Sequence, residues 1–114
     1  MGSASVGLLQ GTLDVIVLKT LSWQPLHGFG IARWIQQVTD DAFQVEEGSL
    51  YPALYRMENK GWIKAEWRIT ENNRRAKYYR LTPMGKRQLV EATETWDTFA
   101  DAMTKIMRAR PQTA

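Results

Sequence analysis

Between Leu50 and Leu81 the apolar residues change their period, and few folds accommodate that change. Leu50, Ala53, Leu54 and Met57 fall on one face of a helix at about 100° per residue. A few residues later Ile63, Ala65, Trp67 and Ile69 alternate with Lys64, Glu66 and Arg68, the period of a half-buried strand. Gly61 lies at the switch and suits the position just past a helix end. Pro52 is tolerated in a first turn, so the helix is expected to begin near Gly48 or Ser49, with Ser49 as its cap. After Ile69, "TENNRRA" supplies the turn residues Asn72 and Asn73. "KYYRLT" then alternates again, with Tyr79 and Leu81 on one face and Tyr78 and Arg80 on the other. The segment predicts a helix running directly into a β-hairpin with a basic tip.

Upstream, Leu9, Leu13, Ile16, Val17 and Leu21 predict a first helix over residues 8–22. Pro25 and Gly28 break it in "SWQPLHGFG", which we read as a turn. A second helix is expected over 29–39, burying Ile31, Trp34 or Ile35, and Val38. A polar connection, "TDDAFQVEEG", leads to the third. Helix, helix, amphipathic helix and basic hairpin is the order of a winged helix-turn-helix, mainly α with a small β-hairpin. In that architecture the third helix enters the major groove and the wing's cations meet phosphates or the minor groove. The third helix carries Ser49, Pro52, Tyr55, Arg56 and Asn59 opposite its core face, with Tyr51 at the flank. Tyr51 could reach phosphate or pack between helices, and Arg56 suits guanine or phosphate unless a carboxylate such as Glu58 holds it.

Charge is concentrated in the same region. The net charge is +3, but residues 56–87 alone carry ten basic and three acidic side chains. Such a block favours a polyanionic partner. Asn72, Asn73, Arg74, Arg75 and Lys77 are the candidate wing contacts, since a hairpin tip leaves its arginines little to pack against.

From Thr82, which can cap, and Pro83, which suits a first helical position, a last helix is expected. Leu89, Ala92, Trp96, Phe99, Met103 and Ile106 repeat at alternating spacings of three and four, a heptad seam. So long a helix overhangs a three-helix body, and its stripe calls for a second copy of the chain. The alternative is folding back on the first helix, and both are expected, the helix's start packing on its own chain and its second half on the twin. The predicted organisation is residues 1–7 disordered or left by cloning, 8–82 the DNA-binding domain, 83–108 the dimerisation helix and 109–114 a disordered tail. Trp96 and Phe99, mid-seam, are the candidate effector site. There a flat aromatic molecule could stack, or the two rings could simply fill a dimer core.

Other chemistry has little support. There is no cysteine and one histidine, His27, a turn or capping residue rather than a metal ligand or triad member. Glu46 and Glu47, beside a basic helix, suit capping or specificity better than acid–base work. Neither a catalytic residue, a metal nor a cofactor is expected, no apolar run approaches a membrane span, and a cytoplasmic protein is inferred. The competing reading is a winged-helix module that binds RNA or protein.

The stretches "LLQGTLDVIVLKTL", "LHGFGIARWIQQ", "EEGSLYPALYRMENKGWIKAEW" and "NRRAKYYRLTPMGKRQL" resemble the PadR-type transcriptional regulators, over about residues 8–107. "GSLYPAL", "KGWI" and "KYYRLTPMG" at this spacing carry most of the resemblance, and the single C-terminal helix is similar to the family's short branch. The resemblance implies a homodimeric repressor of double-stranded DNA, often autoregulatory, released by a small molecule. It places Ser49, Tyr51, Pro52 and Arg56 on the DNA-reading helix and Asn73, Arg74, Arg75 and Lys77 on the wing. It also places Trp96 where some short members stack planar ligands at the dimer centre.

Overall fold

A computed structural model describes residues 10–111. The expected leader 1–7 and the end of the expected tail, 112–114, lie outside the described residues, as does Leu9. Four helices and three strands follow in the order α1 (Gln10–Leu21), β1 (Leu26–His27), α2 (Gly28–Val38), α3 (Glu47–Asn59), β2 (Ile63–Ile69), β3 (Arg75–Leu81) and α4 (Pro83–Arg108). The strands form one antiparallel sheet with β3 central, between β1 and β2. This is the winged helix-turn-helix with a long C-terminal helix. The "SWQPLHGFG" segment is more than a turn: Leu26 and His27 pair with Tyr79 and Tyr78 as a third strand. Two residues are too few for a period to be visible.

The core is built where α1, α2 and α3 meet the base of the hairpin. Leu13, Val17, Leu18 and Leu21 of α1 meet Ile31 and Ile35 of α2, Leu50, Ala53, Leu54 and Met57 of α3, and Ile63, Tyr79 and Leu81 of the sheet. Each large aliphatic side chain so buried contributes about 1.5–3 kcal/mol relative to exposure. Val38, expected in this core, is exposed. It is the last residue of α2, and the chain turns away beyond it through Asp40 and Asp41, both in the left-handed region (φ 50° and 67°). His27 caps α2, its Nδ1 accepting from the Gly30 N–H at 2.9 Å.

The start of α3 differs from expectation. Its N-cap is Glu46, which makes no side-chain capping bond, and Ser49 is the helix's third residue. Pro52 therefore lies beyond the first turn. The N–H it lacks would have paired with the carbonyl of Gly48, and both residues are exposed, so that carbonyl is left open to solvent rather than buried without a partner. The far end behaves as the glycine predicts. Gly61 adopts φ 78°, its N–H donates to the Glu58 carbonyl, and the Trp62 N–H donates to the Met57 carbonyl at 3.0 Å, a Schellman closure. That closure aims the chain straight into β2.

Thr82 ties the hairpin's exit to its entrance. Its hydroxyl donates to the Gly61 carbonyl at 2.6 Å and accepts from the Gly85 N–H at 3.0 Å, capping α4. Gly85 is buried against the Trp62 carbonyl, so closely that a Cβ would collide with it and only glycine fits. The first turns of α4 pack against the body through Leu89, but Trp96, Phe99, Met103 and Ile106 are exposed in the single chain. A helix of 26 residues, about 39 Å long, carries this stripe away from a molecule that measures 67 Å along its longest axis.

Candidate nucleic-acid interface

On α3 the residues opposite the core form a continuous exposed stripe of Ser49, Pro52, Tyr55 and Asn59. The spacing of three and four that buries Leu50, Ala53, Leu54 and Met57 leaves these four outward. Tyr51 does two things. Its ring lies so close to Gly28, at the start of α2, that a Cβ there would meet the hydroxyl oxygen at 2.5 Å. Yet 44% of the residue stays exposed. Glycine at 28 lets the ring lie across the α2 N-terminus with its hydroxyl near the surface.

Arg56 does not lie opposite the core. It sits at the flank facing α1, where Nη2 donates to Asp14 Oδ1 at 3.0 Å. Its Nε is buried without a partner among the described residues. Its partner is therefore Asp14 rather than the Glu58 considered from sequence, and the pair fastens α3 to α1.

The wing is the hairpin β2–β3. Asn73 takes φ 57° at its tip, and the Thr70 N–H donates to the Arg74 carbonyl at 2.7 Å, closing the turn. Asparagine tolerates this left-handed position better than most residues. The expected half-buried alternation holds only at the base, because Trp67 and Ile69 are exposed. The hairpin projects beyond the body there, so neither face of β2 has a core to cover.

Ion pairs divide the wing's cations into two groups. Glu66 takes Arg68 at 2.8 Å and Arg80 at 3.9 Å, and its carboxyl is held below the usual range by the Arg68 hydrogen bond and charge. Lys77 reaches Glu58 of α3 at 3.6 Å. Arg74 and Arg75 make no ion pair among the described residues. The Arg75 guanidinium instead stacks over Trp67, 4.9 Å from the ring centre. The tip thus holds two arginines outside any ion pair among the described residues, with Glu71, Asn72 and Asn73 exposed beside them. Tyr79, in the core at the base of the hairpin, is pushed above the usual phenol range by burial, with the charge of Glu58 adding to it, and stays neutral.

Sequence reasoning brought the exposed stripe and the wing tip to one site. It did not find Asp14 as the partner of Arg56, Gly28 as the seat of Tyr51, or the exposure of Trp67. Among the described residues no group of acidic, histidine or cysteine side chains is arranged to hold a metal, and no helix is long and apolar enough to cross a membrane.

An exposed helix face beside a cationic hairpin, on a three-helix body, defines a winged helix-turn-helix regulator of the DNA-binding class. Residues 17–91 match the transcriptional regulator PadR-like family. A Lysinibacillus sphaericus protein described as uncharacterised protein X is 33% identical over 89 residues, 78% of this chain and 82% of its own. A transcriptional regulator from Clostridium thermocellum, Cth-833, superposes with a TM-score of 0.76 at 31% identity, covering 84% of this chain and 93% of that one. A PadR family transcription regulator from Clostridium difficile gives 0.71 at 30% identity, covering 83% and 97%. The chain belongs to the PadR-like family of transcriptional regulators.

Proposed function

We propose that the protein is a cytoplasmic homodimeric repressor that binds a palindromic site on double-stranded DNA and is released by a small molecule. The observation that carries this reading is the tip of the wing, where Arg74 and Arg75 make no ion pair among the described residues, on a hairpin that reaches α3 through Lys77 and Glu58. In each half-site α3 lies in the major groove with Ser49, Tyr51, Pro52, Tyr55 and Asn59 toward base edges and phosphates. The wing, with Asn72, Asn73, Arg74, Arg75 and Lys77, lies on the flanking backbone. Arg56 supports the interface by holding α3 on α1 through Asp14, and its outer edge lies beside the DNA. Of the seam Leu89, Ala92, Trp96, Phe99, Met103 and Ile106, Leu89 packs on its own core, and the second copy is proposed to pack along the remainder, centred on Trp96, Phe99, Met103 and Ile106, which one chain leaves exposed. Hydroxyl-radical footprinting on the duplex upstream of the protein's own coding sequence tests this arrangement. Two protected patches on one face of the DNA, about 34 Å apart, are expected. A single patch, or no protection, would sink the two-fold reading.

The effector reading rests on the aromatic pair in mid-seam. The Trp96 and Phe99 rings lie 5.8 Å apart, tilted by 36°, and both are exposed in the single chain. A two-fold axis near Trp96 would set two such pairs face to face, a slot for a flat aromatic compound. Thr93, Thr95 and Asp97 nearby suit a neutral or cationic molecule. Release follows if the ligand favours a spacing of the two wings that the DNA does not fit. A planar cationic dye should quench tryptophan fluorescence in the parent and much less in Trp96→Ala, the control needed because the chain has five tryptophans. Undiminished quenching in a Trp96→Ala variant that is still dimeric removes Trp96 from the site.

A further inference from the structure

The outer half of β2 carries a tryptophan and an isoleucine where the hairpin offers them no core. Trp67 is 57% and Ile69 65% exposed, two residues apart and so on one face of the strand. It is the face that turns toward the body. Nearer the base it sends Ile63 into the core, and through Lys77, paired opposite Trp67, it reaches Glu58 of α3. The apolar pair thus lies on the α3 side of the wing. Cations surround it: Arg75 is the cross-strand partner of Ile69 and stacks on the Trp67 ring, Lys77 is the partner of Trp67, and Arg74 follows at the tip. An isolated exposed apolar side chain needs no explanation. Two together at the end of a projecting hairpin, rimmed by arginines, do.

We propose that Trp67 and Ile69 form an apolar wedge that the wing inserts into the minor groove of DNA, against the deoxyribose walls, while Arg74 and Arg75 meet the phosphates on either side. The inference rests on the duplex-binding reading above and adds a specificity element to it. The rim decides the partner, because guanidinium groups around an apolar pair fit a surface whose edges are anionic and whose interior is hydrocarbon. The minor groove is such a surface: its walls are sugar C–H groups between two rows of phosphates. Apolar side chains of architectural proteins also enter this groove, where they wedge between base steps. Stacking on Trp67 also holds the Arg75 guanidinium in place before binding, so less side-chain freedom is lost on reaching a phosphate.

A wedge of this kind senses the floor of the groove. Guanine places an amino group there that adenine lacks, which obstructs an apolar side chain and whose groove-side N–H would lose its water partner beneath one. The wing should therefore favour A·T over G·C in the base pairs flanking each half-site. Inosine·cytosine pairs separate this from major-groove reading, since they lack the amino group but keep the major-groove face of G·C. The experiment measures affinity and its salt slope for duplexes with A·T, I·C or G·C flanks, using the parent, Trp67→Ala and Ile69→Ala. The parent should bind A·T and I·C flanks about equally and G·C flanks several-fold more weakly. Trp67→Ala should lose roughly tenfold in affinity for A·T flanks, lose the flank preference, and keep the salt slope within about half a unit because no phosphate contact is removed. Ile69→Ala should do the same to a smaller extent. Equal flank preference in parent and Trp67→Ala overturns the wedge while leaving DNA binding intact. So does a salt slope that falls by a full unit, which would make Trp67 a support for Arg75 alone, or a Trp67→Ala chain that no longer dimerises, which would place a second copy on the patch. A parent that binds no duplex overturns the wedge and the duplex-binding reading together.

Discussion

Replacing Phe99 with glutamate is expected to give a folded monomer that has lost most of its affinity for DNA. Phe99 takes no part in the core of its own chain: it is 54% exposed and touches Trp96 on the same helix. The core on α1, α2, α3 and the sheet is therefore untouched, and the variant should unfold with parent-like cooperativity. In a two-fold dimer on the α4 seam, however, two carboxylates would be buried near one another without cations. The acidic and basic side chains of that half of α4 include a Lys105–Asp101 pair, exposed at 3.0 Å and turned from the seam. Burying an unpaired charge costs several kcal/mol. Once the two chains separate, each recognition helix binds its half-site alone, and the gain of about a hundredfold to ten-thousandfold that linkage confers is lost. Sedimentation velocity reads the first effect and a duplex titration the second. A Phe99→Glu chain that sediments as a dimer and binds like the parent would place the interface elsewhere.

The parts of this protein that were legible in its sequence are those where one helix or strand faces one core. The four buried residues of α3, the Gly61 terminus and the Thr82–Pro83 start of α4 follow from local chemistry, because spacing and capping leave little choice. What escaped depends on contacts between distant segments or on the absence of contacts. Arg56 lies at the flank of the α3 wheel, and only the folded chain brings Asp14, 42 positions away, to its guanidinium. Ser49 has the side chain of a cap, but α3 begins two residues earlier at Glu47 without a side-chain capping bond, so the local capping preference did not set the start. Trp67 and Ile69 alternate as faithfully as Ile63 and Ala65, yet alternation does not report how far a hairpin projects beyond its core. The two-residue β1 was hidden for the opposite reason: its pairing with Tyr78 and Tyr79 makes it a strand, with no periodicity of its own.

The most direct test of DNA recognition through the wing and α3 is the salt dependence of duplex binding, measured on the parent and on Arg74→Ala/Arg75→Ala. Neither arginine has an ion pair among the described residues, so removing them leaves no buried charge and the fold intact. Each phosphate neutralised contributes about 0.9 to the slope of log K against log salt. A dimer that loses four arginines should lose about three to four units of slope. At 150 mM salt its affinity should fall on the order of a hundredfold or more, for specific and non-specific duplexes alike. The account predicts a steep slope in the parent and that loss in the variant; a parent whose binding is indifferent to salt, or a double variant that binds duplex as well as the parent at 150 mM, would contradict it.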